Sequence, residues 1–115
     1  MLPRRQRLTR TEVAEVLTGG RRYGDQALTL RALLDDQALP SRFAIVVPAK
    51  QVPLAVTRHQ IKRRVRAILV KLTPELLPGL MLVVFCNKEV KNWSFAELKL
   101  KLTELLTKSK LVKVL

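Results

Sequence analysis

Apolar residues recur with two different spacings along this chain, and these spacings predict an alternation of helices and strands. The segment Thr9–Glu12 has the Thr-x-x-Glu pattern of a capping box, in which the two end residues satisfy each other's backbone N–H groups. It predicts the start of a first helix, whose apolar stripe is Val13, Val16 and Leu17. The adjacent glycines at positions 19 and 20 end that helix, and residues 21–25 are predicted to form a loop.

Three segments have the pattern of strands. Apolar side chains alternate over residues 27–34, residues 42–47 are more continuously apolar, and residues 80–86 are apolar throughout. A second helix is predicted over residues 55–72 and ends before a proline, and a last helix opens with a second capping box at Ser94–Glu97. The predicted order is α-β-β-α-β-α, which is an α+β domain.

The second predicted helix separates an apolar face from a cationic edge. Its apolar arc spans about 100°, as expected of a stripe that faces a core, and comprises Leu54, Ile61, Val65, Ile68, Leu69 and Leu72. Arg58, Lys62 and Arg66 follow one another at i,i+4 spacing along one edge of this arc. Arg63 and His59 lie beyond that edge, whereas Arg64 lies on the far side.

The charge of the chain is strongly unbalanced, and the imbalance is concentrated in this helix. The net charge is +13 with a sequence pI of about 11.0. Between Asp36 and Glu75 there are eight basic residues and no acidic one, and five of the eight lie between positions 58 and 66. Solvated basic faces usually alternate with Glu or Asp at i,i+4 spacing, because like charges repel one another. The stretch therefore predicts a polyanionic partner, namely a phosphate backbone.

The residues needed for a self-contained active site are scarce. The chain has one histidine, one cysteine and nine acidic residues, and these do not assemble into a catalytic triad, paired carboxylates or a metal-ligand cluster. His59 lies among cations without a carboxylate to orient it, which makes it a poor general base. We therefore predict no catalytic residue and no protein metal site.

The sequence also bears on the cellular compartment of the protein, because it shows neither a secretory signal nor a membrane-spanning segment. The basic N-terminus is not followed by an apolar run, so a secretory signal is not expected. No apolar run approaches the roughly 18–20 residues that span a bilayer. Cys86 lies in an apolar strand and is predicted to be a core residue in a reducing compartment. A cytoplasmic protein is the expected outcome.

Five aromatic residues are distributed unevenly. Phe43 and Phe85 lie in apolar strands and are predicted to be core residues. Trp93 and Phe95 flank the start of the last helix, where packing as a staple is the usual role. Tyr23 follows two arginines and is the aromatic best placed in the sequence to stack on a base.

Several other functions are compatible with parts of this pattern. A structural RNA-binding protein of the ribosomal type has the same charge and a similar fold. A peripheral membrane protein could use the basic amphipathic helix, although its apolar arc lacks Trp and Phe. A helix-turn-helix DNA-binding protein is less compatible, because no helix closely precedes the basic one. The C-terminal residues 109–115 alternate charged and apolar groups, which fits an extra edge strand, a membrane-touching tail or a frayed end.

The motif of the basic helix resembles the signature of one family, the protein subunit of bacterial ribonuclease P. That signature reads approximately Ala-Val-x-Arg-Asn-Arg-Ile-Lys-Arg-x-x-Arg-Glu. The matching residues here are Ala55, Val56, Arg58, Ile61, Lys62, Arg63 and Arg66, and Lys50 resembles the family's lysine before the helix. This chain departs from the signature at His59, Gln60 and Ala67, where the family has Asn, Arg and an acidic residue. First-helix positions that are often aromatic in the family are aliphatic here, as Val13 and Leu17.

The resemblance implies a fold and a domain organisation. The expected fold is an α/β sandwich of the ribosomal protein S5 domain 2-like type, with a left-handed β-α-β crossover through the motif helix. General physics favours a right-handed connection, so the handedness rests on the resemblance alone. Residues 1–115 are expected to form a single RNA-binding domain, with a basic leader at residues 1–8.

The resemblance also implies a function and its partners. The chain is expected to be the protein cofactor of a ribonucleoprotein in which the catalytic RNA subunit carries the reactive centre and Mg²⁺ is bound mainly by RNA. The partners are ribonuclease P RNA and precursor tRNA, with no membrane and no protein oligomer. Residues expected to contact the catalytic RNA are Arg58, Lys62, Arg63 and Arg66, together with Lys50, Arg64 and His59. The cleft for the 5′ leader of precursor tRNA is expected to be bordered by Val13, Leu17 and Tyr23.

Overall fold

A mixed β-sheet lies between one helix on one face and two helices on the other. The computed structural model describes residues 6–36 and 38–113. In chain order its helices and strands are α1 (Arg10–Gly19), β1 (Arg21–Gly24), β2 (Leu28–Leu34), β3 (Arg42–Val46), α2 (Ala55–Leu72), β4 (Leu80–Cys86) and α3 (Phe95–Lys108). Short 3₁₀ turns occupy Thr73–Glu75 and Lys88–Asn92.

The strands are ordered β1-β2-β4-β3 across the sheet. β1 pairs antiparallel with β2, and β2 pairs antiparallel with β4. β3 pairs parallel with β4, so the connection between them needs a crossover, which α2 supplies. The single-domain α+β fold is therefore as predicted, and α2 and β4 occupy the predicted ranges.

The predicted loop over residues 21–25 is wrong, because residues 21–24 form strand β1. The observed order is therefore α-β-β-β-α-β-α rather than α-β-β-α-β-α. The four-residue strand is too short to display an alternating pattern. Gly19 and Gly20 precede it and Gly24 is its last residue, so the segment has the composition of a loop. Its extended conformation is stabilised by the ladder to β2, in which Tyr23 lies opposite Leu30.

β4 is buried on both faces, which explains why it is apolar throughout. Successive side chains of a strand point to opposite faces. Leu80, Leu82, Val84 and Cys86 accordingly join the larger core, which α2 and α3 cover. Met81 and Val83 join a smaller core on the opposite face, where they pack against Val16 of α1.

The helix termini largely follow the sequence. Thr9 and Glu12 form both hydrogen bonds of the capping box, as predicted. At α3, the Ser94 hydroxyl accepts from the Glu97 backbone N–H, 3.1 Å away. Leu54 departs from the prediction: it is the N-cap residue of α2 and is 70% exposed instead of lying in the core. The helical periodicity does not extend to it, because its backbone is already extended.

Both ends of the described chain are attached to neighbouring segments. Arg7 bridges Phe43 of β3, and the Leu8 backbone N–H donates to the Phe43 carbonyl over 3.2 Å. At the other end, Val112 bridges Leu76, which holds the C-terminal segment against the turn after α2 as far as residue 113. The predicted leader at residues 1–8 and tail at residues 109–115 extend in part outside the described residues.

Among the helices of residues 6–36 and 38–113, none is long and apolar enough to cross a membrane.

Cys86 should be almost unreactive while the protein is folded. It is fully buried in β4, and desolvation raises the pKa of its thiol from 9.0 to about 12. The thiolate is the reactive species, so at about pH 8 the folded chain should be alkylated far more slowly than the chain in denaturant. Mass spectrometry of iodoacetamide labelling with and without guanidinium measures the difference. Equal rates in the two conditions would show that the end of β4 is open to solvent.

Glu12 should make the stability of the protein sensitive to acid. The hydrogen bond from the Thr9 backbone N–H lowers the pKa of the Glu12 carboxyl, and the charge of Arg42 lowers it further. A group with a lowered folded-state pKa stabilises the fold above its unfolded pKa, and that contribution is lost as pH falls through the folded-state value. Glu12→Gln should therefore reduce the free energy of unfolding at neutral pH by about 1 kcal/mol, and much less at about pH 3.

Urea denaturation at the two pH values tests this expectation, with Glu15→Gln as the matched control. Glu15 is an exposed glutamate in the same helix. A loss in Glu12→Gln that persists undiminished at low pH would contradict the assignment to the ionised carboxylate.

Candidate RNA interface

The apolar side of α2 fixes the rotation of the helix and therefore the direction of each cation. Ile61, Val65, Ile68 and Leu69 are buried against the larger core. Among the cations, Arg58, Lys62, Arg64 and Arg66 are half-buried, whereas Arg63 and Lys71 are exposed, as is His59. The side chains predicted to contact RNA thus lie on the edges and outer face of α2 rather than in the core.

The two edges of α2 face different surroundings. Arg64 lies on the edge next to α3, where its Nη1 donates to the Trp93 carbonyl 3.3 Å away. Arg58, Lys62 and Arg66 lie on the other edge of the apolar arc, on the opposite side of it from Arg64. We call these three residues the α2 basic edge. The structure therefore brings Arg58, Lys62 and Arg66 together and separates them from Arg64.

Arg58 has a structural role that the sequence did not reveal. Its Nη1 donates to the Val52 carbonyl at 2.9 Å and to the Pro53 carbonyl at 2.7 Å. These bonds brace the loop before α2 against the first turn of the helix. Lys50 is exposed in the same loop. The accepting carbonyls lie five and six residues before Arg58, outside the helix, so helical periodicity does not signal these contacts.

The N-terminus of α2 adds positive potential to this region. Leu54 provides no side-chain cap, and the first turn contains no acidic residue. The first backbone N–H groups of a helix lack partners within it, and together they represent the positive end of the helix dipole. The loop with Lys50 directly precedes this helix start, so the charge of Lys50 and the positive end of the helix dipole lie close together in the chain.

Few carboxylates balance these cations. In the described part of the chain there are two salt bridges, and Arg42 makes both, one to Glu12 and one to Asp35 at 3.3 Å. The Nε atom of Arg66 is buried and has no hydrogen-bond partner among the described residues. Neither salt bridge involves a cation of α2, so the guanidinium and ammonium groups of that helix have no carboxylate partner among the described residues.

The residues predicted to border a leader cleft do not lie together. Val13 packs against the smaller core on the α1 face of the sheet, and Leu17 is 42% exposed in the same helix. Tyr23 packs against the larger core on the opposite face. Its register opposite Leu30 decides this, because directly paired residues point to the same face. The grouping of Tyr23 with Val13 and Leu17 is therefore wrong.

The α1 face contains two residues that the sequence reasoning did not select. Phe85 is half-buried there instead of being a core residue, whereas Phe43 is fully buried as predicted. Arg31 lies on the same face, and its Nη2 donates to the Leu17 carbonyl at 2.7 Å. The alternation of a strand puts Phe85 on the same face as Met81 and Val83, opposite to Leu80, so the sequence pattern contained this signal. We call Val13, Leu17, Arg31 and Phe85 the α1-face surface.

The described residues offer no group of three His, Cys, Asp or Glu side chains that could hold a metal ion. The chemistry of this interface is that of cations and backbone N–H donors toward an anion.

Comparisons with known proteins identify the family. The family model described as Ribonuclease P matches residues 2–110. The chain is 38% identical over 113 residues to the ribonuclease P protein component of Pseudanabaena sp. strain PCC 6903, with 97% of each chain covered. It is 37% identical over 100 residues to the ribonuclease P protein component of Beutenbergia cavernae, which covers 86% of this chain and 83% of the relative.

Solved structures agree with this assignment. The RNase P protein of Staphylococcus aureus superposes with a TM-score of 0.81 at 17% identity, covering 94% of this chain and 98% of that one, which shows a shared fold. The RNase P protein of Thermotoga maritima has a TM-score of 0.78 at 25% identity, covering 89% of this chain and 98% of that one. With a family model over nearly its whole length and relatives that align end to end, this chain belongs to the ribonuclease P protein family.

Proposed function

We propose that this chain is the protein cofactor of a ribonuclease P ribonucleoprotein and binds both the catalytic RNA and the 5′ leader of precursor tRNA. Membership of the family establishes a role in ribonuclease P. The observation that supports the finer proposal is the α2 basic edge, a row of cations without carboxylate partners among the described residues. The catalytic centre lies in the RNA subunit in this proposal.

The α2 basic edge is suited to a run of phosphates. Residues at i,i+4 spacing are separated by about 6 Å along a helix axis, so successive side chains can reach successive phosphates of one strand. Lys62 and Arg66 provide this spacing, and Arg63 and His59 extend the contact onto the outer face. Arg58 reinforces the contact by fixing the loop that presents Lys50.

The leader of precursor tRNA contacts the α1-face surface in this proposal. Phe85 offers a half-buried ring for base stacking, which is the usual mode of binding single-stranded RNA. Arg31 is held beside the end of α1 by its hydrogen bond to the Leu17 carbonyl, and it supplies positive charge. Val13 and Leu17 contribute aliphatic contacts. Phe85 and Arg31 take the place of Tyr23 in the predicted cleft.

The physical contribution of the protein is electrostatic. Its cations reduce the repulsion between two polyanions, the catalytic RNA and its substrate, and so lower the concentration of Mg²⁺ that the complex needs. The assignment of Mg²⁺ to the RNA follows the family resemblance.

The remaining parts of the proposal follow the family resemblance. The β3-α2-β4 crossover is left-handed, the protein acts without forming a protein oligomer, and the complex is cytoplasmic. Gel filtration with light scattering of the isolated protein tests the second of these.

Lys62→Ala combined with Arg63→Ala should weaken binding to the catalytic RNA. Both residues lie on α2, and neither donates a side-chain hydrogen bond within the described fold, so the double variant should remain folded. Each lost phosphate contact reduces the slope of log K against log salt by about one, so the expected change is about two. Filter binding over a range of salt concentrations measures it.

The matched control removes the same charge elsewhere. Lys91 and Lys99 are exposed lysines outside α2, and their double alanine variant should change the slope by less than one unit. Equal effects in the two doubles would mean that total charge, rather than the α2 surface, governs binding.

Cleavage of precursor tRNA at low Mg²⁺ should depend on the protein and on the length of the leader. A long leader reaches the α1-face surface and a leader of one or two nucleotides does not, so stimulation should be greater for the long leader. Phe85→Leu keeps an apolar side chain in the sheet but removes the ring, and it should reduce this difference by about tenfold, the size of one stacking contact.

Cleavage is followed with the cognate catalytic RNA and end-labelled substrates, with Phe95→Leu as the control. Phe95 is an exposed phenylalanine at the start of α3, outside the α1-face surface. Stimulation that ignores leader length would restrict the role to binding the catalytic RNA. The absence of stimulation by the folded protein would favour a structural RNA-binding protein of the ribosomal type.

A further inference from the structure

A second groove lies on the face of the sheet opposite α1, between strand β1 and helix α3. Its volume is about 720 Å³, which is within the usual size range of small-ligand pockets. Tyr23 and Leu28 line the sheet side, and Trp93 and Leu105 line the helix side. This groove is separate from the α1-face surface, because the sheet lies between them. None of the three residues of the α2 basic edge lines this groove.

A glycine with positive φ ends strand β1 at the border of the groove. Gly24 ends β1 with φ of +101°, a backbone conformation that side-chain-bearing residues rarely adopt. A Cβ atom there would lie 2.3 Å from the Leu28 carbonyl oxygen and 3.1 Å from Cδ2 of Leu105. Glycine therefore permits the tight turn from β1 to β2 and leaves the end of β1 in close contact with Leu105 of α3.

The groove has an excess of positive charge. Its lining includes four cations, Arg21, Lys101, Lys108 and Lys110, and two acidic residues, Asp25 and Glu104. The Asp25 carboxylate is already engaged, since its Oδ1 accepts from the backbone N–H groups of Ala27 at 3.0 Å and Leu28 at 3.2 Å. A ligand with more than one negative charge complements this lining.

Two aromatic rings lie among these cations. Tyr23 and Trp93 are both half-buried, so part of each ring remains accessible from the groove. The ammonium group of Lys101 lies 5.0 Å from the centroid of the Trp93 ring. Aromatic rings beside a cationic groove are the combination that binds single-stranded nucleic acid, because every base can stack and every linkage is anionic. An acidic peptide would use the cations but would leave the rings without a matching partner.

We propose that this groove binds a short single-stranded segment of RNA, with bases against Tyr23 and Trp93 and phosphates against Lys101, Lys108 and Arg21. When a base stacks on Trp93, Lys101 moves from the ring to an adjacent phosphate. The protein then has a single-stranded RNA site in addition to the two surfaces of its proposed function.

The only tryptophan of the chain lies in the groove and reports on its occupancy. Titration of the full-length protein with an oligoadenylate of about five nucleotides should quench Trp93 fluorescence in a saturable manner. Lys101→Ala combined with Lys108→Ala should weaken this binding by about tenfold. It should also reduce the salt slope by about 1.4, since each contact to a single strand contributes about 0.7.

The matched control is Lys91→Ala combined with Lys99→Ala, which removes the same charge from exposed positions outside the groove lining. It should leave the affinity within about twofold of the parent protein. Tyr23→Leu keeps an apolar side chain on β1 and should weaken binding by about tenfold, one stacking contact. Circular dichroism establishes that each variant is folded.

The Lys62→Ala, Arg63→Ala variant separates this site from the catalytic-RNA surface. It should lose affinity for the catalytic RNA while its Trp93 response to oligoadenylate is unchanged. Loss of the Trp93 response in this variant, or equal losses in the groove and control doubles, would overturn the proposal. An equal or stronger response to tripolyphosphate or to a polyglutamate peptide would also overturn it, by showing an anion site without base recognition.

Discussion

Burial of the apolar side of α2 against the sheet is the interaction on which the rest of this structure depends. This helix carries six cations and no carboxylate, so its charges alone oppose a compact fold. Four buried aliphatic residues, each contributing about 1.5–3 kcal/mol, offset that repulsion. They also fix the rotation of the helix. The same packing that stabilises α2 therefore decides which cations face solvent and on which side of the molecule they lie.

Three of the nine acidic residues hold the fold together rather than neutralise α2. Glu12 completes a helix cap and pairs with Arg42 of β3, which attaches α1 to the sheet. Asp35 pairs with the same arginine, and Asp25 organises the turn between β1 and β2. With these carboxylates committed, the positive surfaces remain available for phosphate.

The sheet separates the surfaces that we assign to RNA. The α1-face surface lies on one side of it, and the groove between β1 and α3 lies on the other. The alternation of β4 connects the two sides, because it places Phe85 on one face and the residues beneath α2 and α3 on the other. A rigid central strand that is buried on both faces can therefore support distinct contacts at fixed relative positions.

The sequence by itself determined the features that depend on short-range pattern. These are the range of α2, the capping box at Thr9, the apolar run of β4, the concentration of cations between positions 58 and 66, and the family that this motif resembles. Helical periodicity and capping act over a few residues, so a local reading of the chain recovers them.

Only the tertiary structure decided the features that depend on a partner outside the helix or strand itself. Residues 21–24 are a strand because β2 pairs with them, and that pairing directs Tyr23 away from α1. Arg58 braces the loop that directly precedes its helix, and Phe85 packs against the smaller core while remaining half-buried. Each of these features depends on a contact with a residue of another element or loop. The spacing of apolar and polar residues within one element does not specify that contact.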